Sequence, residues 1–278
     1  MLLNPINCTH WRIVGASTIG SSHRATGLPC QDSNWSMACR TADGRPVLFA
    51  FAADGAGTAS QGGAGAEMAM EATAEFLYTS PDGIPDEGAE ALLVECAGYV
   101  ADRIRGGATA AGLAPRDFAC TWLGVLATET VATVVQIGDG GVVLDMGRGL
   151  EMPVKPMNGE YANQTYFITD DDALERVQTA NLPGRAERVA VFTDGIQRIA
   201  VDLATNLPHE PFFRGFFDVL SRAVVSDEDR LHDALLGFLG GQAVEQRTDD
   251  DKTLVLAALG VPDMISCQTG DERWSCAS

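Results

Sequence analysis

Five short segments of this 278-residue chain set an Asp at the start or end of an apolar run. FAFAADGAG carries Asp54, VVQIGDGG carries Asp139 and AVFTDGIQR carries Asp194, each followed by Gly. CQDS sets Asp32 ahead of another run, and TDDDKTLVLA sets Asp250 and Asp251 just before the last one. Asp-Gly after a strand is an ordinary turn, so each alone reads as structure. Together, in a chain with few other residues suited to polar chemistry, they predict a convergence of carboxylates. Two such charges about 4 Å apart repel by roughly 4 kcal/mol at an effective dielectric near 20. A cluster of this kind persists only with protons or cations between its members. Hard divalent ions such as Mg²⁺ or Mn²⁺, which take carboxylate oxygens and water, are the natural occupants. A Gly after a ligand Asp lets a backbone carbonyl approach a metal, because no Cβ blocks it. The same Gly55, Gly140 and Gly195 would also serve turns with positive φ.

The elements that must hold these residues can be read from periodicity. Residues 11–17 alternate, and 46–53 (PVLFAFAA) form a continuous apolar run, the pattern of a strand covered on both faces. A helix is predicted after Ser60, with Met68, Ala72 and Phe76 at helical spacing. A second starts near Asp86 and carries Leu92, Leu93, Cys96, Val100 and Ile104 on one face. Runs 118–128, 131–137 and 141–145 read as an antiparallel meander. Further strands are expected at 165–169, 188–193 and 252–259, and helices at 171–179, 210–224 and 227–239. This order lacks the regular alternation of a doubly wound sheet and predicts an α+β fold, antiparallel sheets covered by helices.

Composition narrows the function. With 19 Lys+Arg against 38 Asp+Glu the net charge is −19, and no basic run offers a grip on nucleic acid or on an anionic membrane. No stretch reaches about 18 consecutive apolar residues, and no basic n-region precedes an apolar h-region at the N-terminus. The seven Cys (Cys8, Cys30, Cys39, Cys96, Cys120, Cys267, Cys276) include no C-x-x-C pair. That pattern predicts buried or free thiols in a reducing cytoplasm rather than disulfides or zinc. The four His (His10, His23, His209, His232) lack partners at ligand spacing. Residues 1–262 are expected to form a single domain, with 263–278 a loosely attached polar tail.

Taken together, QDS at 31–33, FAFAADGAG at 49–57, CTWLGVLATETVATVVQIGDG at 120–140, VFTDG at 191–195 and DDKTLVLAAL at 250–259 resemble the metal-dependent protein phosphatase family of the PP2C type. The chain is most similar to its compact bacterial branch, over roughly residues 11–260. The resemblance implies an α-β-β-α sandwich, two antiparallel sheets flanked by helix pairs, with a dinuclear Mn²⁺ or Mg²⁺ centre at one end. Carried over by position, Asp54 bridges both metals, Gly55 binds through its carbonyl, and Asp194 and Asp250 complete the first metal. Asp32 orients the attacking water, and Asp139 with Asp194 holds a third, weaker metal. Asp251 stands where the family usually has Asn. The implied reaction is hydrolysis of phosphoserine or phosphothreonine in a protein substrate by activated water, with no phosphoenzyme. In signalling, the implied partner is an opposing protein kinase.

The chain departs from that family pattern. Gln31 replaces the Glu of the usual Glu-Asp pair, and Ala56 stands where many members carry a His. The phosphate-gripping Arg has no match at its usual spacing; His23 and Arg24 lie slightly upstream. A protonated His23 could hold phosphate or act as general acid to the leaving alkoxide. These departures leave two alternatives open: a phosphoprotein-binding pseudophosphatase, and a hydrolase of a small phosphorylated molecule. Trp11, Trp35, Trp122 and the Phe residues of 208–217 read as packing. The Asp residues of 169–177 read as helix caps.

Overall fold

A computed structural model describes residues 11–41, 44–79, 88–156, 165–202 and 204–260. The chain runs β1 (Trp11–Thr18), α1 (Ser21–Thr26), β2 (Asp32–Arg40), β3 (Pro46–Asp54), α2 (Gly62–Thr79) and α3 (Ala89–Ala111). Next come β4 (Trp122–Ala127), β5 (Val131–Ile137), β6 (Gly141–Asp145), β7 (Leu150–Glu151), α4 (Ala173–Arg176), β8 (Gln178–Pro183) and β9 (Arg188–Phe192). The last stretch holds α5 (Gln197–Ala200), β10 (Val201–Asp202), β11 (Leu207–Pro208), α6 (Glu210–Leu220), α7 (Glu228–Leu239), α8 (Gln242–Glu245) and β12 (Lys252–Leu259).

Two antiparallel five-stranded sheets form, ordered β2-β3-β4-β5-β8 and β1-β12-β9-β6-β7. The continuous apolar run of β3 is explained by burial on both faces. Val47, Phe49 and Phe51 pack with Ala66, Ala69, Val100 and Ile104 of α2 and α3. Leu48, Ala50 and Ala52 face the other sheet, among Val125, Val134, Val191 and Val255. A third apolar layer sets Phe192, Leu254 and Leu256 against Phe213, Phe217, Leu235 and Leu239 of α6 and α7. The result is the α-β-β-α sandwich. Each fully buried side chain of this size is worth about 1.5–3 kcal/mol relative to exposure. In the layer under α2 and α3, Trp122 stays satisfied by donating its Nε1–H to Thr73 Oγ1 at 2.8 Å.

The structure corrects the sequence reading in four places. The expected meander stops at β5: β6 crosses to the other sheet and pairs with β9. Its apolar Val142, Val143 and Leu144 fit either sheet, and the turn decides, with Gly138 at φ +113° and Gln136 Nε2 donating to the Gly138 and Gly140 carbonyls. Residues 165–169 form no strand; there the Ile168 N–H donates to the Cys120 carbonyl at 2.9 Å. The helix expected at 171–179 is only α4, because Gln178 onwards pairs with β5 as an edge strand without apolar alternation. The Asp residues there do not cap it; Asp172 instead pairs with Arg176 at 2.6 Å. α6 stops at Leu220, four residues before the expected end. Trp11 and Trp122 are buried, and Trp35 is half-buried against Phe49 at 5.9 Å. Cys30, Cys39, Cys96 and Cys120 are free thiols. Cys8, Cys267, Cys276, His10 and the tail 263–278 lie outside the described residues.

Candidate active site

Strand pairing brings the Asp-bearing ends together. β2 and β3 align so that Asp32 stands opposite Asp54 at the end of one sheet. In the other sheet β9 pairs with β12, so Asp194, just past β9, and Asp250 and Asp251, just before β12, reach a common end. Asp139 lies in the turn that carries the chain from β5 to β6, between the sheets.

The mutual electrostatics show the convergence. Burial pushes Asp54 well above the ordinary carboxylate range, and the charges of Asp32, Asp194 and Asp250 push it further. Asp194 is held up to about 6 by burial, Asp139 and Asp250, while a hydrogen bond with Asp54 opposes the rise. Asp32, buried, is raised to about 7 by that burial, against the lowering effect of hydrogen bonds with Thr193 and Thr253. Burial also raises Asp139, whose Oδ2 accepts from Thr165 Oγ1 at 2.6 Å. Asp250 is exposed, and its Oδ1 accepts the Asp251 N–H at 2.9 Å.

Backbone contacts fix the cluster. The Asp54 N–H donates to Thr121 Oγ1 at 2.9 Å, and the Thr121 N–H donates to the Asp54 carbonyl at 2.8 Å. Asp32 Oδ2 accepts from Thr193 Oγ1 at 2.7 Å, and that hydroxyl oxygen accepts the Thr253 N–H at 3.0 Å. Gly55 and Gly195 do not have positive φ. They are required by close approach instead. A Cβ on Gly55 would lie 2.3 Å from the Gly62 carbonyl carbon, and one on Gly195 would lie 1.8 Å from the Asp251 carbonyl oxygen.

The fit to divalent cations rests on atoms left without partners. Among the described residues, the buried Asp32 Oδ1, Asp194 Oδ1 and Gln31 Oε1 have no hydrogen bond. Buried carboxylate oxygens carry such a deficit at a high free-energy cost. The carboxylates meet in pairs, and among the described residues no three His, Cys, Asp or Glu side chains already stand at metal-binding spacing. Burial and repulsion within the cluster raise both Asp54 and Asp194, so each favours its protonated form while no cation lies between them. An oxygen-rich donor set with orphaned lone pairs fits Mn²⁺ or Mg²⁺.

Of the two residues expected on the substrate side, His23 sits half-buried beside the cluster, its Nδ1 2.8 Å from Asp251 Oδ2. Arg24 is turned away, ion-paired with Glu245 and donating to the Ile19 carbonyl at 2.9 Å. The sequence reading missed Lys252, which is fully buried and donates to the Asp250 carbonyl at 3.1 Å. It also missed the Thr193–Thr253 pair supporting Asp32. The only signal was a Thr beside each of two Asp motifs, TDG and DKT. Cys30, raised to about 12 by burial and then by Asp32 and Asp251, is an inert thiol.

A four-layer sandwich with paired carboxylates at the end of both sheets is the architecture of a phosphatase class. Residues 19–239 match the family described as protein phosphatase 2C. The chain is 46% identical over 247 residues to serine/threonine-protein phosphatase 3 of Escherichia coli (strain K12), covering 89% of this chain and 98% of that one. Serine/threonine phosphatase Stp1 from Staphylococcus aureus superposes with TM-score 0.61 at 15% identity, covering 94% and 98% of the two chains. The catalytic domain of serine threonine protein phosphatase PstP in complex with two manganese ions superposes with TM-score 0.59 at 17% identity, covering 90% and 99%. The chain belongs to the protein phosphatase 2C family and is a PP2C-type serine/threonine phosphatase, a phosphoric monoester hydrolase. Metal dependence is general for that family.

Proposed function

We propose that this chain hydrolyses phosphoserine and phosphothreonine in proteins at a dinuclear Mn²⁺ or Mg²⁺ centre built on the Asp cluster. The observation that carries this reading is the pair of buried oxygens, Asp32 Oδ1 and Asp194 Oδ1, without a partner among the described residues. Asp54, the Gly55 carbonyl, Asp194 and Asp250 would hold these ions. Asp139, which acts on Asp194 electrostatically, would hold a weaker third ion with it. When bound, such ions supply an activated water at neutral pH and neutralise charge developing on the phosphoryl group. The chain's own residues do the rest. Asp32, anchored by Thr193, orients the water. Gln31 offers a neutral acceptor where the resemblance implies a carboxylate, so an ion there would be held with less charge. His23 and Arg24 stand on the substrate side, Arg24 reaching phosphate only by leaving Glu245.

The protein kinase that phosphorylates such substrates is the opposing partner this reading implies. The free thiols of Cys30, Cys39, Cys96 and Cys120 suit a reducing cytoplasm. Among the described residues no helix is long and apolar enough to cross a membrane.

The test is hydrolysis of p-nitrophenyl phosphate and a phosphothreonine peptide with Mn²⁺, Mg²⁺ or chelator. The expected result is turnover that needs metal and falls to background in Asp54→Asn. Turnover that persists in chelator, or in that variant, would place the chemistry elsewhere.

A further inference from the structure

Asp251 is the residue of the cluster that the carboxylate-and-metal reading leaves without work. It is 2% exposed and accepts hydrogen bonds from three separate groups. Its Oδ1 takes the Gly20 N–H at 2.6 Å. Its Oδ2 takes the Gln31 N–H at 2.5 Å and His23 Nδ1 at 2.8 Å. Both oxygens therefore face donors only. An ionised carboxylate, which only accepts, meets that demand; an amide would turn its own N–H₂ against one of the donors. The position calls for Asp rather than Asn.

The same segment also carries the helix on which His23 stands. The Ser22 N–H and hydroxyl both donate to the Asp249 carbonyl, at 2.9 and 2.7 Å. A Cβ on Gly20 would sit 2.3 Å from the Asp250 carbonyl carbon, so the N-terminal end of α1 lies directly on this backbone. His23 is thus located by residues 249–251, and its ring is oriented by one carboxylate oxygen. That oxygen also holds Gln31, the neighbour of Asp32. No other hydrogen bond holds the imidazole: Nε2 has no partner among the described residues, and the side chain keeps 14% of its surface exposed. The bond at one ring nitrogen decides what the other can offer.

We propose that Asp251 is a positioning residue that aims His23 Nε2–H at the leaving oxygen of a phosphoserine or phosphothreonine substrate. This rests on the phosphatase reading above and deepens it. Water attacks phosphorus, the P–O bond to the side-chain oxygen breaks, and its electron pair stays on that oxygen. The oxygen takes the proton from Nε2 of the imidazolium, whose charge Asp251 neutralises. The attacking water loses its proton to solvent through the carboxylate cluster, and solvent reprotonates His23. The products are an alcohol side chain and inorganic phosphate.

Leaving-group dependence separates this role from a structural one. An alkoxide needs a proton as it departs, whereas p-nitrophenolate leaves readily without one. With Mn²⁺, His23→Gln and Asp251→Asn are each expected to lower kcat on a phosphothreonine peptide by roughly 10²-fold, and kcat on p-nitrophenyl phosphate by less than about threefold. The double variant is expected to match the singles, because both act through one group. In metal-free protein, a slowly exchanging His23 Nδ1–H resonance should be present in the wild type and absent from both variants. The positioning role is overturned if His23→Gln keeps wild-type kcat on the peptide, or if both substrates lose activity equally in that variant. A wild-type chain that hydrolyses neither substrate would overturn the phosphatase reading along with it. His23→Gln removes none of the backbone contacts that Asp251 makes, so it decides the matter even if Asp251→Asn fails to fold.

Discussion

β3 crosses between two kinds of interior within a single step. Residues 47–53 are fully enclosed and apolar, alternating between the helix layer and the sheet interface. One residue later, Asp54 is pressed against other carboxylates and pushed well above its ordinary pKa. The first region is packed and satisfied: Phe51 stacks on Trp122 at 5.4 Å, and the single indole donor has its acceptor. The second is held in an unfavourable state by the first, with orphaned oxygens and carboxyls that repel one another. The difference teaches that the sandwich is a clamp: its apolar layers hold the sheet ends in register, and that register holds charges that would otherwise separate. Function and stability are then opposed at the sheet ends and independent in the middle.

The sharpest way to break this contrast is Asp54→Asn. We expect kcat to fall by roughly 10³-fold or more, about 4 kcal/mol in the barrier. In chelator the same variant should melt at a higher temperature than wild type, because folding no longer has to hold a crowded carboxyl in its protonated form. Mn²⁺ should no longer raise its Tm. A lower Tm in chelator would show that Asp54 is not under repulsion.

Phe51→Ala probes the other side. Emptying this stacked site should cost about 3–5 kcal/mol in urea unfolding, while kcat with Mn²⁺ stays near wild type at temperatures where the variant remains folded. A large loss of kcat with little loss of stability would undo the claimed independence.

The pH dependence of metal-free stability sharpens the comparison further. Asp32 and Asp194 are held at about 7 and about 6 in the folded chain, against an ordinary 3.8. Raised folded values mean that folding favours the protonated forms. Their contribution is complete below about pH 4 and is lost as pH rises through 6 and 7. Thermal melts in chelator should therefore show Tm falling from pH 5 to pH 8, and a smaller fall in Asp54→Asn. A flat or rising profile would contradict the crowding of these carboxyls.

The smallest effect is expected at Arg24. Its pair with Glu245 leaves the guanidinium side chain 42% exposed, so Arg24→Ala should change stability by at most about 1 kcal/mol. Peptide KM should rise by roughly fivefold at most, the same energy read as binding. A rise of a hundredfold would make Arg24 a principal phosphate contact.

The sequence by itself determined the strands that are buried on both faces and the residue types at their ends. β3, β5, β6, β9 and β12 were legible because a continuous apolar run bounded by Asp or Gly has few other folded solutions. Asp32, Asp54, Asp139, Asp194 and Asp250 were legible as candidates because Asp recurs at those boundaries. Edge and connecting segments were not. β8 has no apolar alternation, and the passage of β6 to the second sheet depends on the Gly138 turn and a Gln136 side chain. Local pattern could not separate glycines needed for positive φ from Gly55 and Gly195, which are small because another backbone passes against them. Nor could it tell that Asp251, one step from Asp250, turns inward to collect Gly20, Gln31 and His23. Those donors lie more than 200 residues away along the chain. Only tertiary packing decides which distant hydrogen-bond donors a buried carboxylate must satisfy.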